Sequence, residues 1–216
     1  MQIVRKILGP VQTNVYFVYD SGTREGVIID PADQVEHIET CVREEGFTPQ
    51  VILLTHGHFD HVMAAEAVRE HYHIPIWALE QEAETLLDPM LNGDARFLRR
   101  GLRIRPDRLL HDGEELTLLS RRWKVLWTPG HTAGSCCYYI PEERVLFAGD
   151  TLFQGSYGRY DLPGGNYREI QQSLTERLFQ LPDDVVVFPG HMEETTIGFE
   201  MCIRDRRWPG LCWIRR

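Results

Sequence analysis

No apolar run in the sequence is long enough to cross a bilayer, so a membrane-spanning protein is not expected. Cationic residues are scarce: 23 lysines and arginines face 32 aspartates and glutamates, for a formal charge of −9 at pH 7. That balance gives no support to a basic surface for nucleic acid. Cysteine is sparse too, with five in 216 residues and no framework spacing. Such usage points to a reducing compartment, and the cytoplasm is the expected location. Cys136 and Cys137 adjoin in a strand-like run, where neighbours face opposite sides, so they read as small apolar fillers and not as a disulfide. The stretch MQIVRKILGPVQTN carries no charged-then-apolar leader, and no secretory signal is expected. Short-period repeats and low-complexity linkers are missing as well.

What is present is ordinary globular material, 43% hydrophobic and 25% charged, enough for one domain with a sizeable core. Short β-branched or aromatic runs, QIVRKIL, NVYFVYD and EGVIID, read as strands separated by turn chemistry. Val35, Ile38 and Val42 then recur at helical spacing up to Gly46. QVILLT reads as a buried strand, HVMAAEAVREHY as one helix with Val62, Ala65, Val68 and Tyr72 on a face, IPIWAL as a strand, and residues 80–87 as a helix. Residues 88–113 are less regular. Six arginines between Arg96 and Arg108 read either as a solvated face or as a cap over the access path of an anionic substrate. Strand signals return in EELTLL, RWKVLWTPG, SCCYYI and RVLFAGD. YREIQQSLTERLFQL then reads as one amphipathic helix with Tyr167, Ile170, Leu174, Leu178 and Leu181 on a side, and DVVVFPG as the last buried strand. Strands then helices, twice over, predict an α/β fold of four layers, αββα, with two sheets inside.

The segment LLTHGHFDHV places His56, His58, Asp60 and His61 directly after a buried strand, at the edge where α/β sheets gather ligand sites. Imidazole and carboxylate donors suit zinc, iron or manganese. His131 in WTPGHTAGS, Asp150 in LFAGDTLF and His191 in VFPGHMEET repeat the context, each after a predicted strand and each preceded by glycine. Glycine permits the turn dihedrals and close backbone approach such a site needs. Seven candidate ligands are too many for one tetrahedral ion and suit two. One ion could take His56, His58 and His131, the other Asp60, His61 and His191, with Asp150 between them. Ions roughly 3.5–4 Å apart can hold a hydroxide that is nucleophilic at neutral pH.

The set THGHFDH, PGHTAGS, GDTLF and FPGH, in this order, resembles the metallo-β-lactamase-fold hydrolases, and most of all their short glyoxalase II-like, hydroxyacylglutathione hydrolase-like group. The likeness covers residues 1–200. It implies the αββα sandwich, a dinuclear site in the groove at one edge of the sheets, and the ligand partition just given. It implies cleavage of S-2-hydroxyacyl, glutathione-type thioesters by a metal-bound hydroxide that Asp60 and Asp150 position. Zinc is the first expectation for the two divalent ions, with iron and manganese also fitting such donors. The loop GDTLFQGSYGRYDLPGGN resembles that group's substrate loop, which makes Arg159 and Tyr160 the expected substrate-binding residues. A planar guanidinium suits a carboxylate. The partner expected is a small-molecule thioester.

Two further activities keep the same ligands. An iron-dependent persulfide dioxygenase is the alternative, and a non-catalytic metal-binding module is disfavoured by the complete ligand set. His37, His71, His73 and His111 read as ordinary surface or core residues, and Asp30 as a cap or a group supporting a ligand. Residues 201–216, MCIRDRRWPGLCWIRR, stand apart, with five arginines against one aspartate. They are read either as a non-native tail, since MCIRDR resembles translated adapter sequence, or as a basic, aromatic peptide for a membrane or partner surface.

Overall fold

The structure, a computed structural model, describes residues 1–207. Residues 208–216, which carry both tryptophans of the basic tail, lie outside the described residues.

The first sheet has the order β1 (Gln2–Leu8), β2 (Thr13–Tyr19), β3 (Glu25–Ile29), β4 (Thr48–Leu53), β5 (Ile76–Leu79) and β6 (Arg108–Leu110). β1, β2 and β3 pair antiparallel through tight turns, whereas β3 to β6 pair parallel, with Val27 beside Val51 and Ile29 beside Leu53. Parallel pairing requires crossovers. These are supplied by α1 (Val35–Glu45), by α2 (Phe59–Val62) with α3 (Ala65–Tyr72), and by α4 (Ala83–Leu87) with α5 (Asp94–Phe97). The second sheet contains β7 (Glu115–Leu118), β8 (Arg121–Trp127), β9 (Cys136–Ile140) and β10 (Val145–Gly149), a continuous antiparallel meander. A two-stranded hairpin follows, β11 (Leu152–Phe153) with β12 (Ser156–Tyr157). The chain then crosses through α6 (Tyr167–Gln172) to β13 (Val186–Pro189), parallel to β10, and to the edge strand β14 (Thr195–Thr196). It continues into α7 (Ile197–Arg207), within which the expected domain boundary at residue 200 falls.

Three apolar layers define the sandwich. Phe17, Ile28 and Ile52 pack outward against Ile38 and Val68 of α1 and α3. Tyr16, Val18, Ile29 and Leu53 pack inward against Trp123, Val125, Tyr138 and Phe147 of the second sheet. Leu146 and Val187 pack against Ile170, Leu174 and Leu178 on the far side. The strand period of two explains this division: β2 is buried at all seven positions because its alternate side chains enter different layers. Cys136 and Cys137 likewise face different layers, and both are free thiols. Among the described residues no helix is long and apolar enough to cross a membrane.

Three expected helices are broken. The run after His61 splits at Met63 and Ala64, because the Ala64 amide donates to Pro31 O (3.0 Å) and so leaves the helical ladder. Residues 80–87 open with a tight 3₁₀ turn over Glu80–Glu82 before α4. The helix after Asn166 widens at Ser173–Arg177 and tightens at Leu178–Gln180. Its first residue, Tyr167, is half exposed and leans on the Tyr160 ring, so it leaves the apolar side expected of it.

Candidate metal centre

All seven predicted ligands converge at one edge of the two sheets. β4 ends at Leu53, and the loop after it presents His56 and His58, while the first turn of α2 presents Asp60 and His61. His131 follows β8, Asp150 follows β10 and His191 follows β13. Six of them are buried, and His191 is partly exposed.

The inward atoms are fixed by bonds on the outward ones. Asp30 accepts the Thr55 amide (2.8 Å) and hydroxyl (2.6 Å), and its Oδ2 lies 3.0 Å from His61 Nδ1. That contact turns His61 Nε2 inward. His131 Nδ1 is 2.7 Å from Arg159 O, and His191 Nδ1 is 3.3 Å from Gln12 O, with the same effect. The Thr13 hydroxyl donates to Asp60 Oδ2 (3.1 Å).

Within the cluster His58 Nδ1 and His131 Nε2 are 2.8 Å apart, and both group with His56. His61 Nε2 and His191 Nε2 are 3.3 Å apart, and both group with Asp60. Asp150 sits between the groups, with Oδ1 3.3 Å from His61 Nε2 and Oδ2 3.4 Å from His131 Nε2 and 3.6 Å from His191 Nε2. Asp30 also lies close to His56 and His61, but its oxygens are occupied by Thr55 and the His61 ring.

A pair of cations fits this arrangement. His56 Nε2 and Asp150 Oδ1 are buried without a hydrogen-bond partner. Such orphans are costly unless something satisfies them. Gly190 leaves the necessary room: a Cβ there would press on Asp150 Oδ1 and stand 2.7 Å from His61 Cε1. The His/carboxylate donor set suits a dinuclear site.

Electrostatics divide the cluster. Burial, aided by neighbouring imidazoles, holds His56, His58 and His131 below the ordinary 6.5, so they are neutral donors. Burial opposes protonation of His61, but Asp150 and Asp60 outweigh it and raise His61 well above that value. His191 is raised despite burial through Asp60 and Asp150. Burial likewise opposes ionisation of Asp60 and Asp150, yet His61 leads the contacts that hold both carboxyls low. A cation and a proton are therefore competing ways to neutralise these two carboxylates.

Glu82 was not legible as part of the site. It is 1% exposed, and its carboxylate accepts from Gly57 N (2.7 Å), Thr132 Oγ1 (2.9 Å) and Gly134 N (2.8 Å). It thus clamps the His56–His58 loop to the loop carrying His131. Burial pushes its carboxyl up to about 7, against those hydrogen bonds. The one signal available was a carboxylate four residues before Leu86, on an apolar helix face.

His58, Asp60, His131, Asp150 and His191 of the cluster line a cavity of about 680 Å³ whose walls include Phe59, Met90, Phe97, Phe153, Leu162 and Met192. Arg159 reaches this cavity, but its guanidinium is paired in a fork with Asp161 (2.8 and 2.9 Å). Tyr160 is not among the lining residues; its ring lies against Tyr157 and Tyr167. Of the expected loop or cap arginines, Arg96 also lines the cavity. The four remaining histidines stay away from the centre, with His71 beside Glu39 and His111 beside Glu80.

Residues 8–191 match the metallo-beta-lactamase superfamily. A probable metallo-hydrolase, YqgX of Bacillus subtilis, is 38% identical over 196 residues, covering 89% of this chain and 91% of its own. The hydroxyacylglutathione hydrolase GloC of Haemophilus influenzae is 35% identical over 191 residues, covering 88% and 90%. Among solved structures, BLEG-1, a B3 metallo-beta-lactamase, superposes with TM-score 0.88 at 42% identity, covering 93% of this chain and 97% of that one. TTHA1623 in a di-iron-bound form gives 0.82 at 37%, covering 92% and 96%. ETHE1 from Myxococcus xanthus gives 0.75 at 29%, covering 96% and 82%. With the αββα layers and the His/Asp cluster suited to two metals, these likenesses establish the chain as a metal-dependent hydrolase of the metallo-beta-lactamase superfamily.

Proposed function

We propose that the protein hydrolyses S-2-hydroxyacyl thioesters in the manner of glyoxalase II. The observation that carries this reading is the convergence of seven donors, five of which line one cavity, and the likeness to a hydroxyacylglutathione hydrolase supports the substrate class. His56, His58 and His131 would hold one divalent ion, Asp60, His61 and His191 the other, and Asp150 would touch both. Bound there, the ions supply a water acidic enough to attack at neutral pH and a Lewis acid for the thioester carbonyl. Asp60 and Asp150, at the edge of the cavity among the ligands, would accept hydrogen bonds from the attacking water and set its direction. Asp30 holds His61 in place, and Glu82 holds the two histidine loops together. The apolar walls exclude competing water from the acyl group. The carbon–sulfur bond breaks, a carbon–oxygen bond replaces it, and a carboxylic acid and a thiol leave.

Zinc is the first candidate for the pair, and the di-iron form of TTHA1623 supports iron as the second. The test is hydrolysis of S-lactoylglutathione by metal-loaded protein beside a His58→Ala control; equal rates in the two would defeat the reading. A second reading, an iron-dependent persulfide dioxygenase, draws on the likeness to ETHE1. Oxygen uptake with glutathione persulfide, in protein carrying iron, would favour it.

A further inference from the structure

We propose that Arg96, and not Arg159, receives the anionic end of the substrate, and that the cavity selects a bulky apolar acyl group beside it. This rests on the thioester reading and names its substrate more narrowly.

Arg159 has a competitor beside it. The Nε and Nη2 edge of its guanidinium grips the Asp161 carboxylate, so a substrate carboxylate would have to displace an intramolecular one two residues away to take that fork. Arg96 is exposed, lines the same cavity and forms no ion pair within 4 Å among the described residues, although its charge acts on the Asp161 carboxyl from farther off. Its guanidinium lies 5.4 Å from the centre of the Phe97 ring, a contact that leaves its donors available.

Arg96 also stands on a supported element. The Asp94 side chain, fully buried, accepts from Gly101 N (2.7 Å) and Arg100 N (3.2 Å), closing the α5 turn on itself. Phe59, next to the metal-site Asp60, donates its amide to Asn92 O (2.9 Å), and its ring stacks on Phe97 at 5.3 Å. The arginine is therefore referenced to the metal centre through two contacts.

The apolar half of the proposal comes from the rim. Val11, Met90, Phe97 and Met192 are 45%, 65%, 51% and 58% exposed, and all four line this one cavity. They come from three separate segments of the chain. Exposed apolar side chains gathered around a concave mouth mark ligand surface, and a small polar acyl group would leave them wet. A large apolar acyl group would cover them while its carbonyl reaches the floor, and a thiol bearing a carboxylate would extend to Arg96.

Four thioesters test this: lactoyl and mandeloyl esters of glutathione, which is anionic, and of N-acetylcysteamine, which is neutral. Arg96→Ala should raise KM for both glutathione esters about tenfold, the size of one partly exposed charge-assisted contact, with kcat held. It should leave both neutral esters unchanged, and any effect of Arg159→Ala should be the same on anionic and neutral esters. Phe97→Ala should lower kcat/KM for the mandeloyl esters about fivefold and spare the lactoyl ones. Equal losses on neutral and anionic esters, or an anion effect confined to Arg159→Ala, would overturn the assignment. Should no thioester turn over, calorimetry with the thioether S-hexylglutathione separates the two ideas. Binding weakened about tenfold by Arg96→Ala keeps the anion site while the thioesterase reading falls; binding indifferent to Arg96 sinks the site as well.

Discussion

Replacing Asp30 with asparagine changes one atom, yet it should disable a metal ligand that Asp30 would not itself supply. The left-handed backbone at Asp30 (φ 50) suits asparagine, so the fold has no steric reason to resist. The hydrogen bonds do resist. Asp30 Oδ1 accepts the Thr55 amide, and Oδ2 serves both the Thr55 hydroxyl and His61 Nδ1. If the new amide group replaces Oδ1, two N–H donors face each other across 2.8 Å. If it replaces Oδ2, the hydroxyl can rotate to accept, but His61 Nδ1 must then accept too. The imidazole proton moves to Nε2, the atom that faces His191 and Asp150. In the first arrangement one buried bond is lost, about 1–3 kcal/mol. In the second arrangement the ring has no lone pair for an ion, and loss of such a supporting carboxylate lowers metal affinity about ten- to hundredfold. Chelator competition with metal quantification reads the affinity, and urea denaturation reads the stability. Asp30→Asn protein that binds two ions as tightly as the parent would refute the reasoning.

Glu82→Ala strands the amides of Gly57 and Gly134 and the Thr132 hydroxyl in a buried site, so stability should fall by about 3 kcal/mol or more, measurable by chemical denaturation. A loss too small to measure would remove the clamp. Chelator-treated protein should be most stable near pH 6.5. Below it His56, His58 and His131, held low by the fold, are protonated in the unfolded chain first, so stability falls with pH. Above it the raised His61 and His191 keep protons that the unfolded chain has lost, and their stabilisation disappears as pH climbs through the folded values. Glu82, raised to about 7, works against the acid-side trend, one group against three. Stability that climbed steadily into the alkaline range would contradict this assignment of charges.

The seven donors were readable in the sequence because each sits in a short local pattern, a buried strand followed by a turn and, in three cases, a glycine. Sheet material was readable for a related reason: the β-branched and aromatic run NVYFVYD and the continuous apolar run QVILLT depend only on neighbours in the chain. The helix breaks depended on partners far away. The Ala64 amide leaves its helix for Pro31, and Tyr167 is drawn out of its apolar stripe by Tyr160. Glu82 gathers donors 25, 50 and 52 positions distant, which no local pattern records. Arg159 shows the converse: its motif position named it for substrate, but the Asp161 beside it decides whether its charge is available. Arg96 lay in the arginine run that reads either as a solvated face or as a cap, and no local pattern marked it as the arginine that lines the cavity.

The central claim is a pair of ions held by His56, His58, Asp60, His61, His131, Asp150 and His191. Anomalous diffraction from metal-loaded crystals, collected at the absorption edge of the metal found by elemental analysis, tests it directly. Two peaks should appear, one among His56, His58 and His131 and one among Asp60, His61 and His191, with Asp150 reaching both. A single peak, or peaks away from these residues, would contradict the account.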